Sequence, residues 1–177
     1  MFALRRIANL LLLLSLAWGS AGASADAWVI DVEGAIGPAT ADHMLRGLAS
    51  AREAGAELLV LRIDTPGGLD SAMRDMIKGI LASPVPVVAY VYPSGARAAS
   101  AGTYLLYASH VAAMAPGTNL GAATPVQIGA PGLPDMGKSD EPAEQPGQAT
   151  PATPMERKVV NDAVAYIQSL AQLRGRN

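Results

Sequence analysis

The 177-residue sequence predicts a layered α/β domain built on a parallel sheet. Three observations carry that expectation. Short apolar β-rich runs recur along the chain, segments of helical length separate them, and Gly or Pro stands at the junctions. Strands spaced in this way connect by right-handed β–α–β crossovers. The length suits one domain with a substantial core rather than two.

Each element follows in order. Trp28-Val-Ile-Asp-Val32 is the first strand, ended by Gly34. From about Ala39 to Ala54, apolar residues at Met44, Leu45, Leu48 and Ala51 recur with helical spacing, and Gly55 stops the helix. Leu58-Leu-Val-Leu-Arg-Ile63 is a nearly continuous apolar run, expected as a strand buried on both faces of the sheet. The turn Asp64-Thr-Pro-Gly-Gly68 leads to a helix over Asp70 to Ala82, and Pro86 to Val91 forms the next strand. Pro93-Ser-Gly95 breaks the chain before a small-residue, helix-compatible stretch from Ala99 to Ala108, and His110 to Met114 reads as another short strand. Residues 127–155 carry six prolines and four glycines without apolar periodicity, and are expected to form a flexible loop. Such a loop fits either a flap over a functional site or a tolerated surface insertion. A helical pattern resumes from Glu156 to Leu173, with Val159, Val160, Ala163, Ile167 and Leu170 on one side.

Composition removes several function classes. The formal net charge is −2 and the basic residues are scattered, which leaves no electrostatic footprint for nucleic acid. The chain contains no cysteine and only two histidines, His43 and His110. Disulfides, thiolate chemistry and cysteine-ligated metals are excluded, and no metal or cofactor is expected. At the N-terminus, Arg5 and Arg6 precede an apolar stretch from Ile7 to Trp18, followed by Ala23-Ser-Ala25. This is the three-part pattern of a secretory signal peptide over residues 1–25, with an uncleaved signal anchor as the alternative. Either way residues 26–177 are expected outside the cytoplasm, at the periplasmic or extracytoplasmic face of the membrane.

The candidate chemistry centres on Ser100. This serine follows a strand and a break, where a helix begins, so its hydroxyl and the Ala101 amide lie at a positively polarised helix N-terminus. Gly67 and Gly68 also follow directly on a strand, and glycine lets the backbone turn sharply and offer an N–H to a ligand at close range. In a parallel sheet both turns fall at the carboxyl ends of strands, where α/β proteins place their sites. Taken alone, a serine in this position serves more often as a helix cap, and Asp-Thr-Pro-Gly-Gly is an ordinary turn.

Asp64-Thr-Pro-Gly-Gly68, Gly95-Ala-Arg-Ala-Ala-Ser100-Ala-Gly-Thr-Tyr104 and Met114-Ala-Pro-Gly-Thr-Asn-Leu-Gly121 together resemble the NfeD family, the stomatin-operon partner proteins. The resemblance runs from Trp28 to Asn177 apart from the Pro-rich insert. It implies a ClpP/crotonase-like β–α–β superhelical domain, in a clan that also holds signal peptide peptidase A. It further implies a serine peptidase in which Ser100 is paired with Lys158, acting on apolar segments of membrane proteins such as stomatin C-termini. A homo-oligomer associated with the membrane goes with that implication. The family normally continues beyond the position of Asn177, so a domain truncated at its C-terminus is expected.

The lysine can also be weighed on its own residues. Lys78 lies in mid-helix and Lys138 in the Pro-rich insert, whereas Lys158 opens a helix that can hold it in place. A lysine base must be neutral, against a free pKa of about 10.4, and burial among apolar groups lowers that value. Asp162, four residues on, could form an i, i+4 pair with Lys158 and oppose deprotonation. His110 lies ten residues after Ser100, about 15 Å along a helix, which is beyond hydrogen-bonding reach. His43, on the first helix, reads as structural. Three functions are therefore carried forward: a Ser–Lys endopeptidase, a noncatalytic ClpP-like scaffold for a stomatin-type protein, and a crotonase-like acyl-CoA enzyme. The export signal argues against the last.

Overall fold

Strand β1 (Ala27–Glu33), helix α1 (Pro38–Glu53), β2 (Leu58–Asp64), α2 (Asp70–Ala82) and β3 (Val87–Val91) form two successive β–α–β units in the computed structural model of the protein. They are followed by β4 (Arg97–Ala99), α3 (Ala101–Ala108), β5 (Val111–Met114), β6 (Asn119–Gly121) and α4 (Pro154–Arg174). The structure describes residues 26–121, 123 and 153–176. The signal peptide expected over 1–25 and all but the end of the loop expected over 127–155 lie outside the described residues. The last two residues assigned to that loop, Pro154 and Met155, belong to the first turn of α4.

The main sheet has the order β1-β2-β3-β5 with every pair parallel, as the alternating pattern requires. Its register aligns Ile30, Leu61, Ala89 and Ala112 in one row and Val32, Ile63, Val91 and Met114 in the next. Within these rows Val32, Leu61, Ile63, Ala89 and Val91 are wholly buried. They meet Met44 and Leu48 of α1, Met76, Ile77 and Ile80 of α2, and Leu105 of α3 in one core. Helix α3 is apolar on nearly every side and only Tyr107 within it escapes burial, as expected of a helix central to a layer.

The expectation that β2 is buried on both faces does not hold. Burial alternates along the strand: Leu59, Leu61 and Ile63 are buried, while Leu58, Val60, Arg62 and Asp64 are only partly covered. Arg62 is the cause, because it interrupts the apolar run and needs a polar partner on the open face. It donates two hydrogen bonds to the Asp31 carboxylate, at 2.6 and 2.7 Å, and lies 5.6 Å from the Tyr92 ring centroid. The hydrogen bond from Arg62 holds the Asp31 carboxyl below the usual carboxylate range.

Helix α4 packs along α3, and its contacts define its direction. The Tyr104 hydroxyl donates to Ala163 O at 3.3 Å, and the rings of Tyr104 and Tyr166 stack at 5.9 Å. Further along, Arg174 Nε donates to Ala108 O at 2.8 Å, and Arg176 Nη1 donates to Leu106 O and Tyr107 O. The two helices therefore run the same way, and the first turn of α4 lies at the Ser100 end of α3. Ala163 and Leu170 are buried and Val159 and Ile167 half-buried, but Val160, expected on the same side, is 38% exposed. Stepping by three or four residues reaches Ala163, Ile167 and Leu170 from either valine, so the two flank one stripe and the spacing does not account for the greater exposure of Val160.

Candidate active site

The turn after β2 and the chain from β4 into α3 meet at the carboxyl ends of the strands. Thr65 joins them. Its side chain is fully buried, and Oγ1 donates to Gly34 O at 2.6 Å while accepting from the Gly67 N–H at 3.0 Å. Its backbone adds a parallel bridge to β4, with Thr65 N donating to Arg97 O at 2.8 Å and Ala99 N donating to Thr65 O at 3.1 Å. The Gly-Gly turn is thus fixed against the strand that leads into Ser100.

Ser100 has φ 49° and ψ −115°, and it is the only non-glycine residue with positive φ among the described residues. An L side chain held in that region costs about 1–3 kcal/mol, so surrounding bonds must enforce it. Ser100 N donates to Gly121 O at 3.0 Å, and Thr103 N donates to Ser100 O at 3.0 Å. Thr103 Oγ1 donates to Ala98 O at 2.9 Å and accepts from Gly121 N at 3.2 Å. The short β4–β6 ribbon, paired Ala98 to Leu120 and Ala99 to Gly121, holds this frame. Although Ser100 occupies the N-cap position of α3, its side chain makes no capping hydrogen bond. A cap of the ordinary kind has extended backbone and a bonded side-chain oxygen. Neither is present here. The strained conformation instead leaves a half-buried hydroxyl with no hydrogen-bond partner among the described residues, at the start of a helix.

Gly67 and Gly68 stand against this serine in different ways. Gly67 has φ 107° and is buried, and a Cβ built on it would lie 2.5 Å from Ser100 Cβ and 3.0 Å from Ser100 Oγ. Any side chain there would fill the space around the hydroxyl. Gly68 is exposed and lies across Ile36, whose carbonyl oxygen would be 2.0 Å from an added Cβ. Ile36 bonds the carbonyl of Gly67 and the N–H of Leu69, so the Gly68 N–H donates to no group among the described residues. The N–H of Ala101, in the first turn of α3, is likewise without a partner there.

Four of the five residues singled out in the sequence, Gly67, Gly68, Ser100 and Ala101, therefore belong to one neighbourhood. Lys158 is the fifth residue of α4, at the start of its second turn. Ser100 lies four residues before Tyr104, and Lys158 lies five before Ala163, the residue that Tyr104 bonds. At about 1.5 Å per residue the two steps back are nearly equal. Five residues at about 100° each, however, turn Lys158 about 140° around α4 from Ala163, so its level along the helix does not by itself aim the lysine at Ser100. Lys158 is exposed, forms no hydrogen bond with Ser100 and forms no ion pair with Asp162. The i, i+4 pair weighed from the sequence is absent because Asp162 is taken by Arg74 Nη2 at 2.7 Å.

His110 is engaged elsewhere. Its Nδ1 accepts a hydrogen bond from Val87 N at 3.1 Å, which fixes it as a strand-end tether between β3 and β5. Partial burial, then the charges of Arg174 and Arg176, hold its pKa below the ordinary value of 6.5. Sequence reasoning missed Thr65, Thr103 and Gly121 as supports of Ser100. All three stand inside the quoted motifs, but a buried hydroxyl that bridges backbone segments has no signature apart from its neighbours.

Comparison with known proteins follows the same division. A family model described as the NfeD1b N-terminal domain matches residues 26–132. The membrane-bound protease PH1510 of Pyrococcus horikoshii is 41% identical over 150 residues, covering 85% of this chain and 30% of that protein. The chain thus spans less than a third of the length of that curated relative. Among solved structures, the 1510-N membrane-bound stomatin-specific protease, as a lysine-to-alanine mutant in complex with a substrate peptide, matches with a TM-score of 0.69. It is 40% identical and the match covers 88% of this chain and 63% of that one. A serine-to-alanine mutant of 1510-N matches with a TM-score of 0.68 at the same identity, over 85% of this chain and 65% of that one. The ClpP protease catalytic domain of Plasmodium falciparum is only 13% identical but reaches a TM-score of 0.58, over 81% of this chain and 66% of that one. The fold is ClpP-like.

Proposed function

This chain belongs to the NfeD1b N-terminal-domain family, and from that membership we propose that it is the serine-peptidase portion of an exported, membrane-associated endopeptidase cutting apolar segments of stomatin-like membrane proteins. The observation that carries the proposal is the Ser100 backbone: a strained residue, its hydroxyl without a partner among the described residues, faced by a glycine whose missing side chain leaves it room. Strain of this kind persists only where the surroundings enforce it, and it concentrates at reactive positions. The solved relatives add that a serine and a lysine have each been replaced by alanine in a stomatin-specific protease, the latter with substrate bound.

In the proposed reaction Ser100 Oγ attacks the scissile carbonyl carbon, and neutral Lys158 takes the hydroxyl proton. The carbonyl oxygen becomes an oxyanion and accepts hydrogen bonds from the N–H groups of Gly68 and Ala101. Collapse breaks the C–N bond, and the ammonium of Lys158 returns the proton to the leaving amine. Water, deprotonated by Lys158, then attacks the acyl-serine and restores the hydroxyl. No cofactor enters these steps. Leu69 and Leu120 are 46% and 42% exposed, and they adjoin Gly68 and Gly121, which suits an apolar substrate at the nucleophile. Because Lys158 is exposed in the single chain, the reading assigns its desolvation to the bound apolar segment or to a second subunit of a homo-oligomer. Residues 1–25 serve as the export signal in this account. The same exposure of Lys158 favours the second reading, a ClpP-like scaffold that binds a stomatin-type protein without cutting it.

Fluorophosphonate labelling of the membrane-embedded full-length protein separates the two. Ser100→Ala abolishes labelling under the peptidase reading, and Lys158→Ala slows it about 10²–10⁴-fold, the usual contribution of a general base. Cleavage of a stomatin-like C-terminal peptide should fall in parallel. Wild-type protein that binds the peptide but neither labels nor cleaves at any pH would establish the scaffold.

A further inference from the structure

Arg74 stands outside the groups that touch a substrate, yet three interactions converge on it. Its Nε donates to Asp70 Oδ2 at 2.7 Å, its Nη2 donates to Asp162 Oδ2 at 2.7 Å, and its guanidinium lies 4.5 Å from the Tyr166 ring centroid. Asp70 belongs to α2, and Asp162 and Tyr166 belong to α4, so Arg74 ties the two helices together. It also decides where one carboxylate goes. Asp162 is the i+4 neighbour of Lys158, and residues at that spacing share a helix face and pair when their charges are opposite.

We propose that Arg74 is a positioning residue for the peptidase dyad, holding Asp162 off Lys158 so that the lysine keeps no carboxylate partner that would stabilise its ammonium form. The inference rests on the Ser100–Lys158 assignment proposed above. The other charged and titratable groups of the helices packed around this point are Asp70, Asp75 and Lys78 of α2, the Tyr104 hydroxyl of α3, and Arg157 and Tyr166 of α4. Asp70 is committed to Arg74, and Asp75 pairs with Lys78 at 3.0 Å. A change at Arg74 releases Asp70 and Asp162 together, but of the two only Asp162 stands on α4 at the i+4 spacing from Lys158, and Asp162→Asn separates their effects.

The freed carboxylate would favour protonated Lys158, and loss of the Arg74 charge acts in the same direction. The test is the pH dependence of fluorophosphonate labelling in the full-length protein. In Arg74→Met, which keeps an aliphatic stem against Tyr166, the acid limb should move to higher pH, with labelling roughly 1.5- to twofold slower at a fixed pH on that limb, the scale of a helical i, i+4 pair. Adding Asp162→Asn to that variant should return the limb to its wild-type position. Arg74→Gln, which retains hydrogen-bonding capacity but no charge, should shift the limb as Arg74→Met does and serves if the methionine variant does not fold.

An unmoved limb in the folded Arg74 variants overturns the proposal. So does a shift that Asp162→Asn fails to reverse, since that would mark Arg74 as a helix tie and nothing more. Failure of the underlying assignment looks different: Lys158→Ala would then label at the wild-type rate, whatever Arg74 does.

Discussion

Replacing Ser100 by glycine should remove the proposed nucleophile and at the same time stabilise the fold. The observed φ of 49° and ψ of −115° lie outside the regions open to L residues. For achiral glycine the same point is equivalent to its mirror image, which falls in the extended region. Release of strain contributes about 1–3 kcal/mol, while the greater freedom of glycine in the unfolded chain costs about 0.4–1 kcal/mol. The net gain centres on roughly 1 kcal/mol, which raises Tm by about 2–4 °C for a domain of this size. Ser100→Ala supplies the control. It removes an oxygen that makes no capping bond but keeps the Cβ and therefore the strain, so its stability should match wild type within about 0.5 kcal/mol. Thermal or urea unfolding of the three proteins measures the difference directly. If Ser100→Gly is no more stable than Ser100→Ala, the backbone is not strained in the sense argued, and the main support for a nucleophile at this position is lost.

Gly67→Ala should fail on both counts at once, since its φ of 107° is unfavourable for alanine and the new Cβ would lie 2.5 Å from Ser100 Cβ. A loss of about 1–3 kcal/mol together with loss of fluorophosphonate labelling is expected, and unimpaired labelling would show that the glycine does not crowd the hydroxyl. Thr65→Val leaves the buried Gly67 N–H without its acceptor and Gly34 O without its donor, which should cost about 1–3 kcal/mol in urea unfolding; Thr65→Ser should recover most of it. His110 titrates below the ordinary 6.5 in the folded chain, so the unfolded chain binds the extra proton first as pH falls. Stability on this account is full above that value and declines as pH is lowered through the window beneath it. His110→Asn, whose Oδ1 can accept from Val87 N as Nδ1 does, should lose this acid-side decline; equal pH dependence in the two proteins would refute the assignment.

The parallel sheet and its helices were legible because their signals are local. Apolar runs with strand length, helical spacing at Met44, Leu48 and Ala51, and Gly or Pro at the joints define β1 to β3 with α1 and α2, and the structure agrees within about one residue at most boundaries. The β4–β6 ribbon was not legible. Each strand has three residues, and their pairing depends on the chain between them folding back through α3 and β5. Arg62 should have warned against burial on both faces of β2, but the partner that accepts it, Asp31, stands on another strand 31 positions away. Site residues show the same division. Ser100, Gly67 and Gly68 lie in compact motifs whose spacing carries the resemblance, whereas the relation of Lys158 to Asp162 could not be read along the helix. The i, i+4 rule predicts a pair there, and a residue 88 positions upstream cancels it.

That cancellation bears on how α4 is used. A lysine near the start of α4 gains nothing as a base from exposure alone, because only the neutral amine accepts a proton. The helix is nonetheless tethered strongly along its length, by Tyr104 to Ala163, by Arg74 to Asp162 and Tyr166, and by Arg174 and Arg176 to the last carbonyls of α3. These tethers start at Asp162, one turn after Lys158, and the lysine itself has no partner among the described residues. An arrangement meant only to pack α4 also gains from the Arg74–Asp162 tie, which a surface pair between Asp162 and Lys158 would give up. One that reserves the lysine for Ser100 requires the carboxylate to be held elsewhere, and Arg74 holds it.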